Sequence, residues 1–177
     1  EKEGILLIRS QNVYSYGFKL DDVAYINEEI NNRMLGSQLK EFDVLLNITG
    51  ASIGRATYVP EGFPRANVNQ HVCAIRLKKA DVNNAIFLSS YLNSIYGQNQ
   101  IYQNIAGSNR EGINYTQIKE INVPFFNNDF ELIKFSEMIT KSNERINSEM
   151  KKLSKLQLLK TGLMQDLLTG KVRVNNL

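Results

Sequence analysis

Short apolar runs separated by turn residues fill the first 80 positions of the chain. The runs at 5–9, 23–27, 44–49, 55–59 and 72–77 are each five or six residues long. Gly, Pro, Asn or Asp bound them, and apolar runs of this length predict strands. Turns are expected at Gly17, at Gly36, from Gly50 to Gly54, and at 60–64, where Pro60, Gly62 and Pro64 stand. Pro and Gly weaken a central strand, so they punctuate well. Strands this close together, with few helices between them, predict an antiparallel or mixed sheet. Beyond them the period changes. Asp81 is placed to cap a helix over 82–96, with Leu88, Tyr91, Leu92 and Ile95 on one buried face. Gly107 and Gly112 bracket a polar loop, a helical turn is expected at 115–120, and Pro124 closes the domain.

The last part of the chain reads as one long helix. No Gly or Pro occurs between Asp129, the expected N-cap, and Thr161. Ile139, Ile146 and Leu153 repeat every seven residues; Leu156, Leu163 and Leu167 continue the stripe, with Lys160 interrupting it. At about 1.5 Å per residue, roughly 40 residues extend about 60 Å. Such a stripe must pack along a partner helix, and the sequence holds no second long helix. The expected partner is therefore a helix of another chain or one missing from this sequence, with folding back on its own domain as the alternative. The expected class is α+β: a mixed or antiparallel-sheet domain over 1–128, then a helical dimerisation region over 129–177.

Composition narrows the function classes. With 177 residues, 42% hydrophobic and 22% charged, disorder and a disulfide scaffold are excluded. No run of about 20 apolar residues exists, so no membrane span is expected. The net charge of +3 is uneven. Residues 141–177 carry eight Lys and Arg against three Asp and Glu, net +5; the rest carries thirteen against fifteen, net −2. The single cysteine, Cys73, lies in an apolar run and reads as a buried thiol in a reducing, cytoplasmic setting. His71 is the only histidine, too few for a Cys/His metal site. Neither G-x-S-x-G nor G-x-G-x-x-G occurs, and Gly170-Lys171 is followed by Val172, so there is no Walker A motif. Glu149-x-Lys151 lies in the basic helix and reads as a solvated face. No catalysis, cofactor or metal is expected.

Three stretches together resemble the specificity subunit of type I restriction–modification systems. The first runs from Phe42-Asp43-Val44 through Thr49-Gly50-Ala51-Ser52-Ile53-Gly54-Arg55 and on to Asn67-Val68-Asn69-Gln70-His71-Val72. It looks like the strand–turn–strand of that family's target recognition domain. The second, Gly107-Ser108 through Gly112-Ile113-Asn114 to Ile121-Asn122-Val123-Pro124, looks like the end of that domain. The third, Leu158-Leu159-Lys160-Thr161-Gly162 through Asp166-Leu167-Leu168-Thr169-Gly170-Lys171-Val172, looks like the end of its helical region. Members of the family usually carry two recognition domains and two helices. One of each here implies a half subunit or a fragment, with the chain expected to start part-way into its domain.

The resemblance implies a non-catalytic reader of duplex DNA that serves separate methyltransferase and restriction motor subunits in a bacterial or archaeal cytoplasm. A half subunit would pair through its helix as a homodimer. The chain has no Asn/Asp-Pro-Pro-Tyr/Phe run with which to grip a flipped adenine. Guanine is read by Arg and adenine by Asn or Gln, while phosphates take hydroxyls, cations and main-chain N–H groups. Arg9, Gln11, Asn12 and Tyr14 form one candidate DNA-contacting loop, with Tyr16 beside it. Asn69 and Gln70 form a second, and Ser108, Asn109 and Arg110 a third. Thr49, Ser52 and Arg55 are expected at the phosphate backbone. The alternative is a coiled-coil adaptor or decoy that binds methyltransferase subunits without reading DNA.

Overall fold

The computed structural model describes residues 3–106 and 112–173. The chain divides into two compact units, Glu1–Ile139 and Thr140–Leu177.

Among the described residues, eight short strands build the first unit: β1 (Ile5–Ile8), β2 (Val13–Tyr14), β3 (Gly17–Phe18), β4 (Ala24–Ile26), β5 (Val44–Asn47), β6 (Ala56–Tyr58), β7 (Ala66–Val68) and β8 (Val72–Ile75). Two three-stranded sheets result, ordered β4-β1-β7 and β6-β5-β8, with β2 and β3 as a separate hairpin. The first sheet is mixed: β1 runs antiparallel to β4 and parallel to β7, pairing Leu6 with both Tyr25 and Ala66. The second is antiparallel, with Leu45 opposite Thr57 and Ala74. β5 is buried throughout, and its alternation feeds two cores. Val44 and Leu46 pack with Ala85, Leu88, Leu92 and Ile101 on the helical side. Leu45 packs with Leu6, Ile8, Val13 and Val68 on the other. All five expected strands exist, each slightly shorter than its apolar run.

Among the described residues, five α-helices accompany the strands: α1 (Glu28–Arg33), α2 (Val82–Asn93), α3 (Ile95–Ala106), α4 (Tyr115–Lys119) and α5 (Asp129–Leu168). The single helix expected over 82–96 is two. Asp81 caps α2 as expected, accepting from Asn84 N at 3.0 Å. At Ser94 the backbone becomes extended (ψ 164°) and the hydroxyl donates to Tyr91 O at 2.6 Å. A serine satisfying a carbonyl locally competes with the helix in this way. Ile95, expected on the buried face, is therefore 70% exposed. α3 packs back against α2, with Gly97 close to the Leu92 main chain.

α5 is the long helix the apolar stripe predicts. Its cap is Asn128, not Asp129: the Asn128 Oδ1 accepts from Phe130 N at 2.8 Å. The first turns belong to the first unit, eleven residues beyond the expected border at 128. Leu132 and Ser136 are buried there, and Phe135 joins Phe87 and Phe126 with ring centroids 5.0–5.7 Å apart. From residue 140 onward no described residue is buried. Ile146, Leu153, Leu156, Leu163 and Leu167 are 40–61% exposed, whereas Ile139 is half-buried. Gly170, at φ 72°, ends the helix, with Val172 N bonded to Asp166 O at 3.1 Å. Among the described residues no helix is long and apolar enough to cross a membrane.

Candidate nucleic-acid interface

The chain leaves β1 into a tight 3-10 turn at 10–12 that Asn12 holds together. Arg9 N donates to Asn12 Oδ1 at 3.0 Å, and Asn12 Nδ2 donates to the carbonyls of Lys19 and Asp22 at 2.9 and 3.1 Å. Asn12 is 1% exposed. Its amide is spent on main-chain groups, so this expected DNA contact acts as a brace in the structure. Arg9 and Gln11 turn outward to one residue. Arg9 Nη2 donates to Asp22 O at 3.0 Å and lies 3.4 Å from Asp22 Oδ2, to which Gln11 Nε2 donates at 2.8 Å. Asp22 carries no motif or periodic signal in the sequence that marks it out.

The turn from Asn47 to Arg55 lies against this loop. Gly50 (φ 77°) and Gly54 (φ 86°) supply left-handed positions that other residues rarely adopt. Asn47 is fully buried, and its Nδ2 donates to Ser10 O at 2.9 Å and to Ser52 Oγ at 3.0 Å. Gln98 on α3 buttresses the far side by donating to Gly54 O at 2.8 Å. The Arg55 guanidinium sits 5.2 Å above the Tyr14 ring, and Tyr14 lies 5.3 Å from Tyr16. Thr49 and Ser52 are both engaged. Ser52 takes the Asn47 bond, and Thr49 Oγ1 is 2.6 Å from His71 Nδ1.

That last pair brings in the segment between β7 and β8. Asn69 Oδ1 accepts from His71 N at 3.2 Å, and Gln70 Nε2 lies 3.4 Å from His71 Nε2. Main-chain bonds tie it down: Asn69 N to Ile8 O at 3.1 Å and Ile48 N to His71 O at 3.0 Å. Gly112 bridges to Thr49, and Ile113 N donates to Ile48 O at 3.0 Å. Three expected segments thus meet at one place. Arg9, Gln11 and Tyr14 come from the first, Thr49, Ser52 and Arg55 from the second, and Asn69 and Gln70 from the third. Ser108, Asn109 and Arg110 lie outside the described residues.

Charge is sparse around these loops. Arg65 takes both carboxylate oxygens of Glu28, and this hydrogen bonding holds the Glu28 carboxyl below its ordinary range. Arg76 is bidentate on the buried Asp43, which raises the Arg76 pKa further. Arg33 pairs with Glu29, and Arg9 with Asp22. Among the described residues before 107, Arg55 is the arginine without a carboxylate within 4 Å. Among the described residues there is also no group of three His, Cys, Asp or Glu able to hold a metal. Burial pushes the Cys73 thiol up to about 11, so it stays protonated near neutrality. Thr49 and His71 form a hydroxyl–imidazole pair, but the other ring nitrogen faces the Gln70 amide, not an acid that would orient a base.

Among the described residues, loops carried by the two sheets thus bring amides, hydroxyls, tyrosines and the Arg55 guanidinium together on one surface. A family model described as the type I restriction modification DNA specificity domain matches residues 21–128, and the chain belongs to that family. The family is non-catalytic in general and serves DNA specificity within a restriction–modification complex. The match includes the 47–55 turn and the 69–71 segment. It leaves out the 9–16 loop and α5, where the resemblance of 158–172 falls. No curated protein matches the chain.

Proposed function

We propose that this chain reads one half of a two-part duplex DNA target and directs separate methyltransferase and restriction motor subunits to it. The observation that carries this reading is the convergence of the 9–16, 49–55 and 69–71 loops, tied together by Asn47 and by the Thr49–His71 pair. Loops braced by buried amides are pre-organised, which lowers the ordering cost of binding. Arg55, unpaired and exposed, is suited to a phosphate, while the amide-rich loops are suited to base edges. The recognition part extends through the first turns of α5, and the remainder is a dimerisation region. The exposed stripe of Ile146, Leu153, Leu156, Leu163 and Leu167 supports pairing with a second copy. A symmetric pair would read a palindromic split site with a fixed spacer. The setting is the cytoplasm of a bacterium or archaeon.

Methylation mapping tests the reading. Cells carrying the chain with its methyltransferase subunit are compared with cells in which Thr49, Arg55 and Gln70 are replaced by alanine. The expected result is loss or change of the modified adenines. An unchanged pattern would instead favour an adaptor that binds methyltransferase subunits without reading DNA.

A further inference from the structure

We propose that Asp22 is a base-reading residue, its carboxylate accepting a hydrogen bond from the exocyclic amine of a cytosine in the target. The inference rests on the proposal that the loop cluster meets DNA, and it names a reading group within it. Asp22 is held at both its main chain and its side chain. Its carbonyl accepts from Asn12 Nδ2 at 3.1 Å and from Arg9 Nη2 at 3.0 Å. Its Oδ2 accepts from Gln11 Nε2 at 2.8 Å, with Arg9 Nη2 at 3.4 Å. The other oxygen, Oδ1, has no hydrogen bond among the described residues, although the side chain is 85% exposed. Three polar side chains from one loop thus aim a single carboxylate at solvent with one acceptor left over.

Stability gives little reason for this arrangement, since exposed ion pairs contribute almost nothing net. Recognition gives a better one. An ionised carboxylate only accepts, and the major groove offers it two amine donors, cytosine N4 and adenine N6. Adenine sets the N7 acceptor beside its amine, which a second carboxylate oxygen repels, so cytosine is the better match. Guanine and thymine present acceptors at that level, which a carboxylate repels. Arg9 offsets the repulsion between Asp22 and the phosphate backbone. Arg9 and Gln11 have donors already committed to Asp22, so in this arrangement they act through it as positioning residues. The turn that carries them is anchored to the second loop, because Asn47 bonds the Ser10 carbonyl between them.

The experiment selects target sites from a random duplex pool, using the full chain with its methyltransferase subunit. Asp22→Asn and Asp22→Ala are compared with the unaltered chain. The expected result is that one position of the motif loses its cytosine preference by about tenfold while the other positions keep theirs. Gln11→Ala, which leaves the carboxylate but loosens it, should weaken the same position by less. Two results overturn the proposal: a motif unchanged at every position, or an Asp22→Ala chain that binds all duplexes more tightly with the same motif. The second would make Asp22 only a restraint on Arg9. An unaltered chain that selects no motif overturns both proposals; an unaltered motif in the variants overturns this one alone.

Discussion

Asn47 donates its side-chain amide to the main-chain carbonyl of Ser10 at 2.9 Å, across 37 residues of sequence. The same nitrogen reaches Ser52 Oγ, so one buried side chain joins two loops. Asn47→Ala should cost about 1–3 kcal/mol, because Ser10 and Ser52 lose their buried donor. Urea unfolding measures the loss. Site selection with the folded fraction should also show a blurred motif, which a purely structural role would leave sharp.

Two glycines should respond to alanine with opposite signs. A Cβ on Gly97 would sit 2.8 Å from Leu92 Cα, and closer still to the Tyr91 carbonyl. Main chain cannot step aside as a side-chain tip can, so Gly97→Ala should destabilise by about 3 kcal/mol or by overpacking displace α3. Gly162, within α5, has nothing within 4 Å. Gly162→Ala should stabilise the helix by about 0.5–1 kcal/mol. Thermal melts followed by circular dichroism distinguish the two.

Arg55 gives a salt-dependence prediction. If it neutralises one phosphate, Arg55→Ala should lower the slope of log affinity against log salt by about one. Affinity should fall uniformly across DNA sequences. A change confined to one base position would make Arg55 a base contact.

Cys73 gives a pH prediction. Its thiol is raised from about 9 to about 11 by burial, so the folded state holds the proton more tightly than the unfolded state. That stability is fully present below about pH 9 and is lost as pH rises toward 11. Its size is at most about 3 kcal/mol. The half-buried Tyr58, also raised by burial, adds in the same direction. Cys73→Ala should flatten the alkaline fall in stability, and native Cys73 should resist alkylation at pH 8 until the chain is unfolded.

The stripe on α5 predicts association. Ile146→Glu with Leu153→Glu should weaken self-association by at least about tenfold, since two apolar contacts become charged. Sedimentation equilibrium reads the change. A strict monomer for the unaltered chain, with α5 still helical, would remove the basis for pairing.

The elements that could be read directly were those whose pattern is local. The α5 stripe and the five apolar runs each declare a period within a dozen residues. β7 did not, because Asn67 stands at its centre. Asn67 is fully buried, and its amide is satisfied by Asn31 Oδ1 at 2.6 Å and Ser37 Oγ at 2.9 Å, partners some 30 residues away or more. The break at Ser94 was hidden by an unbroken apolar spacing across it. α1 was missed although Asn27 caps it, accepting from Ile30 N at 2.9 Å. At the interface, residue types could be nominated but not their employment. That Asn12 faces inward and that Arg9 and Gln11 converge on Asp22 depend on where β1 ends relative to the 19–22 turn, a tertiary relation with no periodic trace.

β1 has one more consequence. It is the middle strand of its sheet, with β4 on one edge and β7 on the other, and Leu6 and Ile8 are buried in the core. The family match begins at residue 21, after this strand. A fragment excised at that border would strip β4 and β7 of their shared partner and deprive Asn47 of Ser10, leaving two unpaired edges and a loosened turn. Homology and autonomy have different borders here: the smallest piece that keeps both sheets paired must begin ahead of Ile5.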